Sequence, residues 1–163
     1  MPNWCSCDLI VRGEKKELAR FKKAAKGENG IIDFNNFIPY PKKFTAMDEK
    51  AKEANKKIEP GKPHAKDGYN SGGYEWCIAN WGTKWNASSP ELTDELNEEL
   101  IYRFESAWSP PAPVVQKMGE KFPTLSFELR YFEAGMSFNG LMRVEKGAII
   151  LDKQGEYFGD RGG

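Results

Sequence analysis

Two segments of the chain place apolar residues at every second position, and this alternation restricts the fold more than any other feature. The segments are residues 5–12 and 124–134. A period of two is typical of a β-strand with one buried face and one face in solvent. The apolar members are Cys5, Cys7, Leu9 and Val11 in the first segment and Leu125, Phe127, Leu129 and Tyr131 in the second. We therefore expect a sheet whose strands bury one face.

Helical spacing of apolar residues appears next to both of these strands. Residues 14–26 carry apolar residues on one helical face and begin with acidic residues, which favour a helix start. Residues 113–122 predict a second helix, which begins at a proline and stops before Pro123. The apolar face of the first helix consists of Leu18, Phe21 and Ala25.

The remaining strand signals complete a recognised order of elements. Residues 31–38 predict the strand after the first helix, and residues 100–108 predict the strand before the second helix. Residues 140–145 and 148–152 predict a hairpin, whereas residues 87–99 predict a polar connection. The order β-α-β, β-α-β and hairpin predicts a ferredoxin-like α+β domain, in which an antiparallel sheet carries two helices on one face.

One segment, residues 42–73, interrupts this order and is interpreted as an inserted arm. Its first part, residues 42–57, predicts a surface helix with Thr45 as its cap, and a Pro- and Gly-rich flexible loop follows. We expect a single domain over residues 1–158 and a flexible tail at residues 159–163.

The segment after the arm is dense in aromatic residues and predicts a short helix. Gly82 fits the position just past the end of that helix. A strand would instead place Tyr74, Trp76 and Ile78 on one side, and the helix is the preferred interpretation. The residues that form the helical stripe are Tyr74, Cys77, Ile78 and Trp81.

Charge is balanced over the chain but not along it. The sequence holds 24 basic and 24 acidic residues, with a net charge of +6 in residues 1–66 and −6 in residues 67–163. A neutral chain is a poor general binder of nucleic acid, because phosphate contacts need a local excess of Lys and Arg. The lysines of residues 14–26 are interpreted as a solvated helix face. No apolar run could span a membrane and no signal peptide is seen, so a cytoplasmic protein is expected.

The residues that could carry metal or catalytic chemistry are few. Cys5, Cys7, Cys77 and the single histidine, His64, could together make a Cys3His zinc site, but their spacing fits no known zinc motif. We interpret the cysteines as reduced, buried side chains and predict no metal and no cofactor. No motif for a nucleophile, a phosphate loop or a metalloprotease occurs, so no catalytic residue is predicted and an enzyme is not favoured.

Tryptophan is the sharper signal. Trp76, Trp81 and Trp85 fall within ten residues, and Trp108 belongs to a second aromatic motif. The structural interpretation is a packed cluster, with Trp4, Trp76, Trp81 and Gly82 as its structural members. The functional interpretation is a partly open groove with Lys84, Trp85 and Trp108 at its mouth, which could stack a base, a nucleotide or a side chain of a partner.

Four motifs together carry a family resemblance. They are Met1-Pro2-Asn3-Trp4-Cys5, Asn80-Trp81-Gly82-Thr83-Lys84-Trp85, Ser106-Ala107-Trp108-Ser109-Pro110-Pro111 and the stretch Gly135–Gly140. Their order and spacing resemble the YubB family of phage- and plasmid-borne proteins. The resemblance implies a ferredoxin-like domain and a mobile-element origin. It implies no activity and no active site.

Three classes of function remain open on this basis. The favoured hypothesis is a non-enzymatic binding module that contacts a protein partner through the tryptophan-lined face. The alternatives are a single-stranded nucleic-acid binder, since ferredoxin-like sheets can stack bases on aromatic residues, and an enzyme that acts on a small substrate. The pattern names neither a partner nor an oligomeric state.

Overall fold

The sheet is antiparallel throughout and has six strands. The computed structural model describes residues 2–163. The strand order is β2-β3-β1-β4-β5-β6. The strands are β1 (Trp4–Arg12), β2 (Ser88–Glu95), β3 (Glu99–Ala107), β4 (Ser126–Glu133), β5 (Phe138–Glu145) and β6 (Ala148–Glu156). The helices are α1 (Lys15–Ala25), α2 (Lys42–Asn55), α3 (Gly73–Trp81) and α4 (Ala112–Lys121), with single 3-10 turns at Phe34–Asn36 and Tyr69–Ser71. The expected α+β architecture is confirmed.

The core lies on one face of the sheet, where the register brings apolar residues of three strands together. Leu9 of β1 lies opposite Tyr102 of β3 and Leu129 of β4, so the three side chains point to the same side. Phe21 of α1 packs onto this layer, with its ring centroid 5.3 Å from that of Phe127. All five side chains are almost fully buried, as the two-residue alternation predicts.

The opposite face of the sheet carries ion pairs instead of a second layer. Glu128 is only 2% exposed and accepts hydrogen bonds from Arg130 and Arg143, each at 2.7 Å. Burial acts to raise the pKa of Glu128, but the bonds from the two guanidinium groups outweigh it and lower the pKa. Arg103 pairs with Asp8 at 3.1 Å on the same face. The arginine stems therefore cover this face without a helix layer.

The predicted strand at residues 31–38 is wrong. This stretch is irregular apart from the 3-10 turn Phe34–Asn36. Asp33 accepts from the backbone N–H of Asn35 at 3.0 Å, and the Asn86 side chain accepts from the N–H of Phe34 at 2.9 Å. Side-chain oxygen atoms therefore accept hydrogen bonds from backbone N–H groups that would otherwise pair with a neighbouring strand. Ile32 and Phe34, two of the apolar residues that suggested a strand, are nevertheless fully buried, and Ile38 is partly buried against the core.

The polar connection predicted at residues 87–99 is wrong as well, because strand β2 occupies Ser88–Glu95. β2 is an edge strand, paired with β3 alone and interrupted by two register shifts. Only Leu92 of its apolar side chains packs against the core. An edge strand with one apolar contact gives almost no alternation in the sequence, since its pairing depends on backbone hydrogen bonds.

The arm contains the expected helix, but α2 begins at Lys42 and not after Thr45, with Pro41 before its first residue. Pro41 fits this place because it precedes the helical N–H groups that need no partner within the helix. Phe44 buries its side chain, and Asp48 accepts hydrogen bonds from the backbone N–H groups of Gly68 and Tyr69 at 2.7 and 3.2 Å. The far end of the arm is thereby tied to α2.

The last residues lie across the charged face of the sheet. Arg161 donates to Asp8 at 2.6 and 2.8 Å and to the hydroxyl of Ser6 at 2.9 Å. The N–H of Gly163 donates to the carbonyl of Trp4 at 2.8 Å. The flexibility expected of residues 159–163 stays a prediction. Motion of these residues would break the contacts of Arg161 and Gly163. No helix among residues 2–163 is long and apolar enough to cross a membrane.

Truncation of a core aromatic residue should destabilise the fold strongly. We expect Phe104→Ala or Phe127→Ala to lower the free energy of unfolding by about 3–5 kcal/mol, because each leaves a cavity in a fully buried layer. Phe158→Ala is the matched control, since Phe158 is 70% exposed. Chemical denaturation measures all three variants, and a loss below about 1 kcal/mol for both core variants would contradict the proposed core.

We expect the amides of the arm to fall into two groups, one with fast and one with slow hydrogen exchange. Residues 57–66 lie largely in solvent, so their amides should exchange quickly. The amides of Gly68 and Tyr69 should be protected, because Asp48 holds both. Asp48→Ala should remove that protection while the amides of β1 stay protected. Strong protection across residues 57–66 would show that the loop is packed.

Candidate functional site

The aromatic segment folds as the predicted helix and ends at the predicted glycine. Gly82 has a φ of 77°, and its N–H donates to the carbonyl of Ile78 at 3.2 Å. A side chain at Gly82 would also come within 2.8 Å of Pro113, so both the conformation and the space favour glycine. Trp81 is buried, and its indole N–H donates to the carbonyl of Ile38 at 2.8 Å. Trp76 packs edge-on to Trp81, with ring centroids 5.5 Å apart.

Hydrogen bonds from three hydroxyl groups join the loop after α3 to the end of β3, and two of the three residues, Thr83 and Ser106, are fully buried. Thr83 is fully buried and donates to the carbonyl of Ala107 at 2.8 Å. Ser109 donates to the carbonyl of Gly82 at 2.6 Å, and Ser106 donates to the carbonyl of Ser109 at 2.8 Å. The second and third sequence motifs are therefore two halves of one structural joint.

Trp108 lies just beyond the end of β3, whereas the sequence predicted it as the last residue of a strand over residues 100–108. Its φ is 71°, a conformation that non-glycine residues rarely adopt. The N–H of Trp108 donates to the carbonyl of Asn3 at 2.9 Å, and this bond holds the left-handed turn. The turn sends the indole outward, so Trp108 is 40% exposed.

Lys84, Trp85 and Trp108 meet at this joint. The ammonium nitrogen of Lys84 lies 3.8 Å from the ring centroid of Trp108 and 4.2 Å from that of Trp85, within range of cation–π attraction. Trp85 is 39% exposed and packs against Trp4, with ring centroids 6.0 Å apart. We call these four residues, Trp4, Lys84, Trp85 and Trp108, the Trp–Lys patch.

The remaining sequence motif reaches the same end of the sheet. Asn3, whose carbonyl receives the Trp108 N–H, packs against Gly135, where a Cβ atom would clash with the Asn3 side chain. All four motifs that were separate along the chain are therefore neighbours in space within the described residues. Each supplies backbone or side-chain support for the Trp–Lys patch or for the joint beneath it.

A cleft of about 660 Å³ opens next to the patch, with Lys84 and Trp85 on its rim. We call it the acidic cleft, because three carboxylate residues and only one basic residue line it. Its walls come from the loop before Asp33, from the arm and from α3. The lining residues used below are Glu28, Asp33, Tyr40, Asp48, Tyr69, Trp81, Lys84 and Trp85.

Asp33 is the buried charge of the cleft. It is 3% exposed and accepts hydrogen bonds from the side chain of Asn86 at 2.8 Å and from the backbone N–H groups of Asn35 and Asn29. Burial acts to raise the pKa of Asp33, but these hydrogen bonds outweigh it and lower the pKa. The carboxyl group therefore stays ionised at neutral pH.

Tyr40 adds a second unusual group to the cleft. Its hydroxyl oxygen is buried and has no hydrogen-bond partner among the described residues. Burial and the nearby charge of Asp48 raise the pKa of Tyr40 to about 12. Tyr69 closes another wall, because its hydroxyl donates to the carbonyl of Lys84 at 3.2 Å.

The sequence predicted Lys84, Trp85 and Trp108 as binding residues, but it assigned Trp4 to the structural cluster and gave no indication of the cleft. Asp33 is a single polar residue in a segment that was interpreted as a strand, and Asn86 is a single polar residue after the predicted helix. Asp48 resembled the other charged residues of a surface helix. The density of Asn and Asp around Asp33 was the one available signal, because such residues compete for backbone hydrogen bonds. The three cysteines do not come together: Cys5 and Cys7 are buried in β1, whereas Cys77 is buried in α3 and belongs to the lining of the cleft.

Comparison with known proteins agrees with this class of fold, a ferredoxin-like α+β domain. Residues 80–160 match the family model of the ferredoxin-like domain in Api92-like protein. Over the whole chain, the structure is similar to the crystal structure of protein api92 from Yersinia pseudotuberculosis. The TM-score is 0.62 at 10% sequence identity, and the match covers 99% of this chain and 100% of that one. Comparison with the curated proteins gives no match.

The family match covers part of each candidate site: Trp4 of the patch lies outside the matched residues, and Trp81, Lys84 and Trp85 of the cleft lie inside them. Lys84, Trp85 and Trp108 lie inside the matched residues, whereas Asp33 and Asp48 of the acidic cleft lie outside them. The similarity to api92 extends over the full chain, but at 10% identity it shows the fold alone. The chemistry of both sites therefore has to be argued from the residues of this chain.

Loss of the Thr83 hydroxyl should loosen the joint under the patch. We expect Thr83→Val to lower the free energy of unfolding by about 1–3 kcal/mol, because the carbonyl of Ala107 loses its partner in a buried place. Thr93→Val is the control, since its hydroxyl bonds to the carbonyl of Ile101 at an exposed edge. Urea denaturation compares the two variants, and equal losses would contradict a special role for the Thr83 bond.

Proposed function

We propose that this chain is a cytosolic, non-enzymatic module that binds a protein partner through the Trp–Lys patch. The observation that carries the proposal is the position of Lys84 between two half-exposed indole rings. Its resemblance to phage- and plasmid-borne proteins adds the proposal that the module serves a mobile element.

The patch has the chemistry of an interaction hot spot. Tryptophan offers a large, rigid contact area at low entropic cost, and hot spots are rich in it for this reason. Core packing alone would not require tryptophan at positions 85 and 108, since both side chains keep about two fifths of their surface in solvent. Two such residues side by side favour contact with a partner.

The patch is also held in place before any partner arrives. Thr83 anchors the loop that carries Lys84 and Trp85, and the Asn3 carbonyl anchors Trp108. A contact surface fixed in advance loses less conformational entropy on binding. This preorganisation supports a binding role more than it supports a role in packing.

The Lys84 ammonium group, which forms no ion pair within the described residues, indicates the charge of the group that a partner would place beside it. Among residues 2–163, no carboxylate oxygen lies within 4.0 Å of the Lys84 nitrogen. A carboxylate from the partner would complete this site with a charge-assisted hydrogen bond. We therefore expect a partner segment that presents an acidic residue beside an apolar or aromatic one.

Single-stranded nucleic acid is the second candidate, and the same two exposed indole rings favour it, because bases stack on aromatic residues. The sheet surface itself supports it poorly. That surface is covered by paired side chains such as Arg103–Asp8 and Arg143–Glu128, which leaves its arginine charges neutralised. A thymidine oligonucleotide is therefore a useful competitor in the binding test.

The test separates the patch from the core by two tryptophan variants. Trp85→Ala should leave the melting temperature nearly unchanged and weaken partner binding, because its side chain is partly exposed. Trp81→Ala should destabilise the fold by about 3–5 kcal/mol, because Trp81 is buried. Thermal melting measures the stability of each variant, and a peptide-display selection measures its binding of a partner.

Partner binding is measured by selection from a random-peptide display library on wild-type protein, with Lys84→Ala protein as the counter-selection. We expect enriched peptides to contain Asp or Glu beside an aromatic or aliphatic residue and to lose binding to Trp85→Ala and Trp108→Ala. If Trp85→Ala unfolds the protein as badly as Trp81→Ala, the patch is core. Stronger binding of the oligonucleotide than of any selected peptide would favour the nucleic-acid alternative.

A further inference from the structure

The acidic cleft contains negative charge that the protein itself does not neutralise. Glu28, Asp33 and Asp48 line it, and among residues 2–163 no Lys, Arg or His nitrogen lies within 4.0 Å of any of their carboxylate oxygens. The only basic lining residue is Lys84. Its ammonium group is engaged with the rings of Trp85 and Trp108, at 4.2 and 3.8 Å.

The deepest of these charges is held in the ionised form by the fold. Asp33 is almost fully buried, and its carboxylate receives neutral donors from Asn29, Asn35 and Asn86. Neutral donors stabilise a carboxylate but do not cancel its charge. Asp33 therefore contributes a negative potential from a place of reduced solvent access, where a charge is screened less than at an open surface.

The cleft also has aromatic walls. Tyr40, Tyr69, Trp81 and Trp85 line it, and the rings of Tyr40 and Trp81 lie 6.0 Å apart at an angle of 39°. Aromatic faces attract organic cations through their π electrons and pack against an apolar stem at the same time.

The volume of the cleft and the types of side chain that line it restrict the class of ligand that it can bind. A volume of about 660 Å³ falls within the range of small-molecule sites. No group of three or more His, Cys, Asp or Glu residues in the described chain could hold a metal ion, so the carboxylates are too dispersed for that role. We propose that the acidic cleft binds an organic cation, a guanidinium or alkylammonium group on an apolar stem, supplied either by a free amine or by an Arg or Lys side chain.

The probes are butylguanidinium and its neutral analogue butylurea, which match in shape and differ in charge. Titrations followed by NMR should show butylguanidinium shifting the amides of Asp33 and Asp48 and the indole N–H of Trp85. Butylurea should bind at least about tenfold more weakly, since it gains neither the carboxylates nor the cation–π contacts. Added salt should weaken butylguanidinium binding and leave butylurea unchanged.

Asp48→Asn is the principal variant, because an asparagine oxygen can still accept from the N–H groups of Gly68 and Tyr69. It should weaken butylguanidinium binding about fivefold. Asp94→Asn, at an exposed position of edge strand β2, is the matched control and should bind as the wild type does. Glu28→Gln gives a second test on an exposed residue if Asp48→Asn fails to fold.

Equal binding of the two probes, unchanged affinity in both charge variants, or no binding by either probe would each overturn the proposal. A capped arginine peptide separates the two sources of the cation. Affinity above that of butylguanidinium, lost in Trp85→Ala, indicates a side chain of a partner, and equal affinity indicates a free amine. Lys84→Ala should abolish peptide selection by the patch without weakening butylguanidinium binding, so the failure of one proposal is distinguishable from the failure of the other.

Discussion

The hydrogen bond from the Thr83 hydroxyl to the Ala107 carbonyl is the contact on which both candidate sites depend. It joins the loop after α3 to the end of a central strand in a place closed to water. Breaking it would leave a buried carbonyl without a partner, so the loop has one strongly preferred position. That position places Lys84 and Trp85 against Trp108 on one side and along the rim of the acidic cleft on the other.

The two sites are adjacent and opposite in charge. The Trp–Lys patch presents one ammonium group over two indole rings, and the acidic cleft presents carboxylates between aromatic walls. Trp85 belongs to both, because its ring packs beside Lys84 and also lines the cleft. Neighbouring sites of opposite charge fix the orientation of a ligand that spans both, because a ligand bound in the reverse orientation would place like charges together at both sites. The arm contributes to this arrangement by supplying Asp48 and Tyr69 to the cleft wall.

Much of the fold could be predicted because several strands and helices bury only one face, which gives a clear periodic pattern of apolar residues in the sequence. The alternation in β1 and β4 and the helical spacing in α1 follow from that burial, and all three elements were predicted. The strand at residues 31–38 was wrong, because the chain there satisfies its backbone donors with the side chains of Asp33 and Asn86. Edge strand β2 was missed, because backbone pairing with β3 forms it and leaves little trace in the order of side chains.

The sequence by itself determined the strands other than β2, the helices α1 and α4, the end of α3 at Gly82 and the residue types of the patch, because each of these depends on local periodicity or on the conformation of a single residue. Only the tertiary structure decided that Lys84 lies between Trp85 and Trp108, since that contact requires β3 to end beside the loop after α3. It also decided the acidic cleft. Asp33 and Asp48 are ordinary acidic residues along the chain, and they line one cavity because Phe44 of the arm packs beside Tyr40 of the irregular segment after α1, with ring centroids 5.6 Å apart.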